Sequence, residues 1–453
     1  MKAPWNCKNS LLYASVFIVQ IGSFIDGCFM SWTSPIIVKL NKLDDNPLGR
    51  SLTETEEGFL SCIGVIGVSL GSYATGYLSA KYGKKKILLI MAFPAIAGCL
   101  ILTCPQNVWW LLFGRSIWGI TIGANLTVAP VYVAELSDSS NRGKLCSLKV
   151  LFMNVGILLS MGAGPFTSFR VYHWILTSSF VLHFILLLIV VPESPYFLAD
   201  KRLDEAENVL KKLRHKDDVK EELNGIQQYI EEKVEGSLSE ILRDKGLRRG
   251  LILGCGLVFF QQFAGVSIIM SYGQKIFEDV NEFLPSAWSA LIIAAMEAIF
   301  GFVAPIFIDR SGRKILLIIS DIGIIITLSI FGLYFFLKKH EPSLDYLNWL
   351  PLTTMIIYKF MYTLGSAAVP WIVVGEIFPQ EMKGIAVATV TAVSAWTTFV
   401  LCLSYNSVNH IIGVYGIFWS FSAIGVSALL FAIFFLFETK GKSLQEIQDI
   451  INR

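Results

Sequence analysis

Residues 82–90 read YGKKKILLI, and residues 309–318 read DRSGRKILLI. Each stretch lies between two long apolar runs and places a glycine and several basic residues there. Clusters of Lys and Arg between apolar runs are typical of the short cytoplasmic loops of membrane proteins. Because nearly the same loop occurs in both halves of the chain, the sequence predicts a duplicated membrane protein.

Two further motifs recur once in each half, in the same order. One is a Pro and a Glu, with a basic residue and a Gly seven positions after the Glu; the other is a Glu-containing motif at the end of the half. They are PVYVAE (130–135) with Arg142-Gly143, PWIVVGE (370–376) with Lys383-Gly384, PESP (192–195) and FETKG (437–441). Solvated loop charges that only obey the orientation rule would not repeat this spacing. A parallel repeat of two halves is the architecture of a major facilitator transporter.

Composition places the chain in the membrane class. Of its 453 residues, 54% are apolar and only 16% are charged, whereas a soluble protein has about 25% charged residues. The net charge of +2 excludes a strongly basic nucleic-acid binder. The eight cysteines lie mostly in apolar runs without a CxxC motif, so we expect buried thiols rather than metal ligands. The sequence has no phosphate loop and no nucleophile–base pair, so we expect no catalytic residues and no cofactor.

Twelve apolar runs are long enough to cross a bilayer, which takes about 20 residues each. They lie at 11–32, 58–79, 87–105, 109–134, 145–166, 172–192, 250–270, 286–308, 315–337, 349–373, 384–405 and 413–437. We therefore predict an all-α membrane protein with twelve transmembrane helices in two pseudo-symmetric six-helix halves. The expected divisions are an N-terminal half at 1–192, a cytoplasmic linker with short helices at 193–249, a C-terminal half at 250–437 and a cytoplasmic tail at 438–453.

The distribution of basic residues predicts the orientation. If both termini are inside, the inner short loops and tails hold 15 Lys and Arg, and the outer loops hold 7. Because cytoplasmic loops carry the excess, we expect both termini to be cytoplasmic. The first apolar run is longer than a signal-peptide core, so we take it as a retained span.

The chain resembles the sugar porter family of the major facilitators over essentially its whole length. The motifs that carry the resemblance are Gly114-Arg115, PESP (192–195), QQFAG (261–265), Pro370-Trp371 and ETKG (438–441). WTSP (32–35) looks like the insect branch of facilitated trehalose transporters. The resemblance implies transport of a hexose or a trehalose-like sugar by alternating access, either facilitative or proton-coupled. We expect a monomer in the plasma membrane whose partners are the sugar, the lipid bilayer and, if transport is coupled, protons.

The resemblance also implies a set of substrate-binding residues. Gln261 and Gln262 match sugar-binding glutamines, and a carboxamide suits a hydroxyl because both groups donate and accept. Adjacent residues of a helix point in different directions, so one glutamine alternatively contacts a neighbouring span. Other polar positions of the family are substituted here, which leaves the identity of the sugar open. The expected substrate-binding residues are Gln261, Gln262, Ser267, Glu297, Trp371, Trp396 and Asn154.

Charged residues inside the spans are a second group of candidates, because a central charge costs about 2.5–3.5 kcal/mol on insertion scales. Asp26 and Arg115 match a pair found in proton-coupled members of the family. Making and breaking that pair would bind and release a proton, whereas a permanent pair would only fix helix packing. Glu297 is either a second proton site or a substrate contact, and Lys359 either forms an ion pair or extends toward the membrane surface.

The repeated charges near the cytoplasmic ends form a third group. We expect them to cluster at the cytoplasmic mouth, in ion pairs that are worth about 0–1 kcal/mol each and can therefore break during the cycle. The expected gate residues are Glu135, Arg142, Glu193, Asp309, Arg313, Glu376, Lys383 and Glu438.

Two alternatives to sugar transport stay open from the sequence. The altered sugar site also suits a transporter of a different polar or anionic solute. A non-transporting nutrient sensor can use the same scaffold. An uptake measurement separates a sensor from either transporter.

Overall fold

Every regular element in the described part of the chain is a helix. The computed structural model describes residues 10–42, 44–138, 141–231, 237–278, 284–341, 345–440, 442, 446–447 and 450–451. Helices pair all their interior backbone groups within one segment, as a chain that crosses lipid requires. The helices before the charged segment are α1 Ser10–Ser31, α2 Thr33–Asn41, α3 Glu54–Tyr82, α4 Lys84–Thr103, α5 Val108–Leu136, α6 Arg142–Phe166 and α7 Phe169–Ile189.

The charged segment forms short helices, and long helices resume after it. The short helices are α8 Pro195–Lys201, α9 Leu203–Arg214, α10 Lys220–Glu231 and α11 Leu238–Arg243. The later helices are α12 Lys245–Phe263, α13 Val266–Glu278, α14 Ser286–Ser311, α15 Arg313–His340, α16 Leu350–Leu364, α17 Val369–Ile377 and α18 Gln380–Phe435. Leu198, Ala206 and Leu210 are buried where α8 and α9 pack together, as expected for amphipathic helices.

The predicted membrane architecture is confirmed. Eleven helical segments among the described residues are long and apolar enough to cross a membrane. One of them belongs to α18, whose 56 residues would extend about 80 Å at 1.5 Å per residue, far beyond a hydrocarbon core of about 30 Å. Gly413, with φ 71° and ψ 171°, divides α18 into two helices, and the count becomes twelve.

The chain folds into two compact units. The first comprises Met1–Trp32, Lys39–Ser51 and Ile63–Val234, and the second comprises Thr33–Val38, Leu52–Cys62 and Glu235–Arg453. In the first unit, α1 and α6 pack backbone against backbone through two glycines. A Cβ added to Gly27 would lie 1.9 Å from the carbonyl oxygen of Met153, and one added to Gly156 would lie 1.9 Å from that of Phe24. Small residues at such contacts are how membrane helices approach closely.

Candidate functional site

Two of the spans are interrupted in the middle, and both interruptions involve Gln261. Span 7 breaks between α12 and α13, where Gly265 adopts a φ of +85° that favours glycine. Span 10 breaks between α16 and α17 at residues 365–368. The side-chain amide of Gln261 donates to the carbonyl oxygens of Ser366 at 2.6 Å and Ala367 at 3.1 Å. Gln261 therefore joins the end of α12 to the break in span 10.

Gln262 points into a different surrounding, as adjacent residues on a helix should. Its amide nitrogen donates to Ser394 Oγ at 2.9 Å. Its carbonyl oxygen accepts from Ser267 Oγ at 2.9 Å and from Thr398 Oγ1 at 3.0 Å. One amide and three hydroxyls thus form a network within the second unit. The structure brings Gln262 and Ser267 together and adds Ser394 and Thr398, which the sequence prediction missed.

The remaining expected substrate-binding residues are spread over both units. Trp371 on α17 is half-buried and packs against the apolar core of the second unit. Trp396 on α18 is 61% exposed, with its ring centroid 5.8 Å from that of Phe399. Asn154 is buried on α6 of the first unit. Of the expected substrate-binding residues, Gln262 and Ser267 are thus joined to each other by a hydrogen bond at the break in span 7.

Glu297 and Lys359 form a buried ion pair within the second unit. Lys359 Nζ lies 2.8 Å from Glu297 Oε2, and the side chains are 1% and 13% exposed. The pair joins α14 to α16 and gives Lys359 the partner that the sequence left undecided. Because Glu297 already neutralises a buried ammonium group, its oxygens are partly committed before any substrate binds.

Asp26 and Arg115 do not contact each other, which corrects the expected pairing. Asp26 Oδ2 accepts a hydrogen bond from Asn125 Nδ2 at 2.7 Å. Arg115 Nη2 donates to the carbonyl oxygen of Phe29 at 2.7 Å, and the guanidinium lies over the Phe29 ring at 3.5 Å. This stacking and the backbone bond hold the cation away from Asp26. The cation that acts electrostatically on Asp26 is Lys149 on α6.

The first unit contains a compact cluster of expected gate residues around the start of α4. The Glu193 carboxylate accepts from the backbone nitrogens of Lys84 and Lys85, both at 3.0 Å. Glu135 forms an ion pair with Lys84 Nζ at 2.8 Å and accepts a hydrogen bond from Ser194. A carboxylate is stabilised at this position because the first backbone N–H groups of a helix carry partial positive charge.

The second unit repeats this cluster around the start of α15. Glu438 accepts from the backbone nitrogens of Arg313 at 2.9 Å and Lys314 at 3.2 Å. Arg313 Nη2 lies 3.0 Å from Glu376 Oε1. Burial alone would raise the pKa of Glu438, but backbone N–H groups of Lys440, Arg313 and Lys314 bind its ionised form. The net effect is a pKa below the ordinary glutamate value.

Glycine is required before both capped helices. Gly83 and Gly312 have φ values of 96° and 86°, which other residues rarely adopt. A Cβ on Gly83 would lie 2.5 Å from Glu193 Oε2, and one on Gly312 would lie 2.6 Å from Glu438 Oε2. Each glycine therefore permits both the turn and the close approach of the carboxylate. This explains physically why the repeated stretches 82–90 and 309–318 share a glycine.

Five expected gate residues thus lie in one cluster within each unit, Glu135 and Glu193 around the start of α4 and Arg313, Glu376 and Glu438 around the start of α15. Arg142 lies near enough to Tyr196 at the linker to interact with its hydroxyl. The Lys383 ammonium lies 3.7 Å from where a Cβ on Gly375 would be. The side chain of Asp309 lies outside the described residues. Lys84, the ion-pair partner of Glu135, is missing from the expected gate residues. Aligning the two repeats at Gly83 and Gly312 makes Lys84 equivalent to Arg313.

A buried charge cluster that the sequence did not indicate lies elsewhere in the second unit. Glu57 is 2% exposed and accepts from Lys275 Nζ at 2.6 Å and from Asn406 Nδ2 at 3.1 Å. Glu57 and Lys275 stand near the ends of apolar runs, where charges are usually solvated. Only the tertiary structure brings them together.

Comparison with known proteins gives a consistent result. A family model described as Sugar (and other) transporter matches residues 14–451. The facilitated trehalose transporter Tret1-1 of Drosophila simulans is 34% identical over 436 residues, which cover 95% of this chain and 50% of that protein. The Tret1-2 homolog of Drosophila sechellia is 33% identical over 436 residues, covering 95% of this chain and 88% of that protein.

Solved structures of the same fold also match. The inward open conformation of the xylose transporter XylE from E. coli has a TM-score of 0.80 at 22% identity, covering 97% of this chain and 99% of that chain. A partially occluded inward open conformation of XylE has a TM-score of 0.77 at 23% identity, covering 96% and 100%. The chain spans about half the length of several curated relatives that it matches.

Proposed function

Because this chain belongs to the Sugar (and other) transporter family and has the major facilitator fold, we propose that it carries a sugar across a membrane by alternating access. The observation that carries the proposal is the network in which Gln262 binds Ser267, Ser394 and Thr398. These groups hydrogen-bond to one another, and each can exchange that partner for a sugar hydroxyl, since amides and hydroxyls both donate and accept. The relatives are transporters and not enzymes.

The proposed substrate is a hexose or a trehalose-like sugar, which is supported by the names of the curated relatives. We propose that Gln262 and Ser267 bind its hydroxyls directly, and that Gln261 contacts it at the break in span 10. Trp371 and Trp396 supply aromatic faces for the apolar side of a sugar ring. Asn154 and Glu297 complete the proposed substrate-binding set.

The proposed function is tested by reconstituting the protein in lipid vesicles and measuring uptake of a labelled sugar panel with and without a proton gradient. Saturable uptake of at least one hexose or disaccharide is expected, with competition by the unlabelled sugar. Uptake of an anionic or non-sugar solute in place of every sugar would redirect the assignment of the substrate. Sugar binding without any uptake would indicate a sensor.

We propose that the protein works as a monomer in the plasma membrane with both termini cytoplasmic. The split of 15 inner against 7 outer basic residues supports this orientation. Epitope tags at either terminus should stay inaccessible to external antibody in intact cells and become accessible on permeabilisation. A tag inserted in the 39–51 segment should already be accessible to external antibody in intact cells. External labelling of a terminal tag would contradict the orientation.

We propose that the clusters around the starts of α4 and α15 form the cytoplasmic gate and that their ion pairs break during each cycle. Replacing Glu376 with alanine removes the partner of Arg313 and loosens the tie between α15 and α17. A partly solvated pair is worth about 0–1 kcal/mol, so transport should slow by up to about fivefold. The rate is measured as vesicle uptake normalised to the amount of inserted protein.

The matched control for this gate prediction is Glu205→Ala, which removes an exposed ion pair with Arg202 in the linker. It should leave the transport rate unchanged. Glu135→Ala should resemble Glu376→Ala, because Glu135 occupies the equivalent position in the other unit. Unchanged rates in both Glu376→Ala and Glu135→Ala would count against a gate.

We further propose that Asp26 binds the proton if transport is proton-coupled, with Asn125 as its hydrogen-bond partner and Lys149, in place of Arg115, as the cation that acts on it electrostatically. Asp26→Asn keeps the size and the hydrogen bond to Asn125 but removes the titratable group. Its maximal uptake rate should lose pH dependence while counterflow exchange survives. Wild-type maximal uptake that is flat between about pH 5 and 8 would leave a uniporter. The lowered pKa of Glu438 keeps that carboxylate ionised over the same range, so it does not contribute.

A further inference from the structure

The break in span 10 is held by side chains from two other helices. Interrupting a helix at residues 365–368 removes backbone hydrogen bonds, and these must be replaced inside a membrane. Ser320 Oγ on α15 accepts from the backbone nitrogen of Ser366 at 3.0 Å. The Gln261 amide donates to the carbonyl oxygens of Ser366 and Ala367. The position of Gln261 therefore depends on the geometry of this break.

A buried carboxyl group completes the same arrangement. Asp321, the next residue on α15, is 8% exposed. Its Oδ1 atom accepts from Ser366 Oγ at 2.9 Å, and Ser366 Oγ is in turn 2.9 Å from Ser320 Oγ. A small cavity lined by Gln261, Asp321 and Ser366 borders this group and has room for about one water molecule.

No Lys, Arg or His in the described ranges forms an ion pair with Asp321. Two charged groups on helices packed against α15 have partners of their own. Lys359 on α16 binds Glu297 on α14, and Glu376 on α17 binds Arg313. The stretches that face the cavity from α12 and α18 contribute the apolar residues Leu257, Phe260, Gly425, Ala428 and Phe431. On α16, the titratable Tyr358 and Tyr362 hydroxyls are buried. A carboxylate without a cation at this depth is costly.

We propose that Asp321 is a proton-binding positioning residue whose protonation sets how tightly the span 10 break, and through it the Gln261 amide, is held. This inference rests on the proposed sugar transport and on Gln261 as a sugar contact. It concerns a carboxyl in the second unit, distinct from Asp26 in the first.

The two protonation states of Asp321 bind Ser366 differently. The ionised carboxylate accepts a charge-assisted hydrogen bond from Ser366 Oγ, which is about twice as strong as a neutral bond. When the carboxyl takes a proton from water, its O–H donates to Ser366 Oγ, and the Ser366 hydroxyl turns toward Ser320 Oγ. Ionisation returns the proton to water. Protonation therefore turns the Ser366 hydroxyl from Asp321 to Ser320 and replaces the charge-assisted bond with neutral ones, so the break is held differently and the KM for sugar should depend on pH.

Counterflow exchange isolates this effect because it requires no net proton movement. The wild-type KM should change by about three- to tenfold between pH 8 and pH 5, with little change in the maximal rate. Asp321→Asn should show the same KM at every pH, since a carboxamide cannot ionise. Ser366→Ala keeps the carboxyl but cuts the connection, so its KM should also become pH-independent.

The matched control is Thr327→Val, which removes a buried hydroxyl of α15 that binds the carbonyl oxygen of Gly323 in its own helix. It should keep the wild-type pH profile. A wild-type KM that does not change with pH, or Asp321→Asn with the wild-type pH profile, would overturn the proposal while leaving sugar transport intact.

An infrared measurement tests proton binding by Asp321 independently of transport. The difference spectrum of the purified protein between pH 5 and 8 should contain a protonated-carboxyl band that is absent in Asp321→Asn. Identical difference spectra for the two proteins would overturn the proposal. If no sugar is exchanged at any pH but the band is present, the proposed function fails and proton binding by Asp321 stands.

Discussion

Replacing Lys359 with alanine should destabilise the folded protein by about 3–5 kcal/mol, the largest effect expected of any single substitution proposed for this chain. The ammonium group of Lys359 is 2.8 Å from Glu297 and is 1% exposed. Its removal leaves a carboxylate uncompensated between α14 and α16, where little water can solvate it. The change is measured as the loss of thermal stability of the detergent-purified protein.

The matched control for Lys359→Ala is the double variant Glu297→Gln/Lys359→Met, in which both charges are removed together. A buried pair that is replaced by neutral groups of similar volume is often close to neutral in stability. The double variant should therefore recover most of the stability lost in the single variant. Equal destabilisation of the two, within about 0.5 kcal/mol, would show that the charge pairing is not the cause.

Replacing Gln262 with alanine should weaken sugar binding by roughly tenfold or more, because a buried hydroxyl left unpaired costs about 1–3 kcal/mol. The amide now binds Ser267, Ser394 and Thr398, so its loss removes the centre of the network as well as a direct sugar contact. Affinity is measured by competition of unlabelled sugar in vesicle uptake, with the amount of folded protein held equal.

Gln262→Glu is the informative partner variant. It keeps the oxygens that accept from Ser267 and Thr398 but loses the donor to Ser394, so affinity should lie between that of the wild type and that of Gln262→Ala. Normal sugar affinity in both Gln261→Ala and Gln262→Ala would show that these glutamines serve helix packing. The substrate site would then have to be sought among the other residues.

The membrane architecture is readable from the sequence because its determinants are local. Apolar runs of spanning length and the positions of Lys and Arg depend on composition, and the bilayer imposes helices on such runs. The repeated glycines at Gly83 and Gly312 are readable for a similar reason. Each must adopt a positive φ and admit a carboxylate, and both demands leave a mark on the residue type.

The span breaks and the pairing of charges are not readable in this way. The break at residues 365–368 depends on Gln261 and Ser320, which are distant in sequence and supply missing backbone partners, and on Asp321, which binds the Ser366 side chain. The expected contact between Asp26 and Arg115 is absent because Arg115 instead binds the backbone oxygen of Phe29 and stacks on its ring, one turn after Asp26 along α1. Spacing along the chain identifies candidate charges, whereas their partners are set by helix packing.

The central claim, that this chain is a sugar carrier, is tested most directly by equilibrium counterflow in vesicles without ATP or an ion gradient. Vesicles preloaded with unlabelled sugar should transiently accumulate the labelled sugar above its external concentration, because a carrier returns loaded sites faster than it equilibrates the label. Gln262→Ala should reduce that accumulation at subsaturating sugar. The absence of accumulation for every sugar of the panel, with folded and correctly inserted wild-type protein, would contradict the claim.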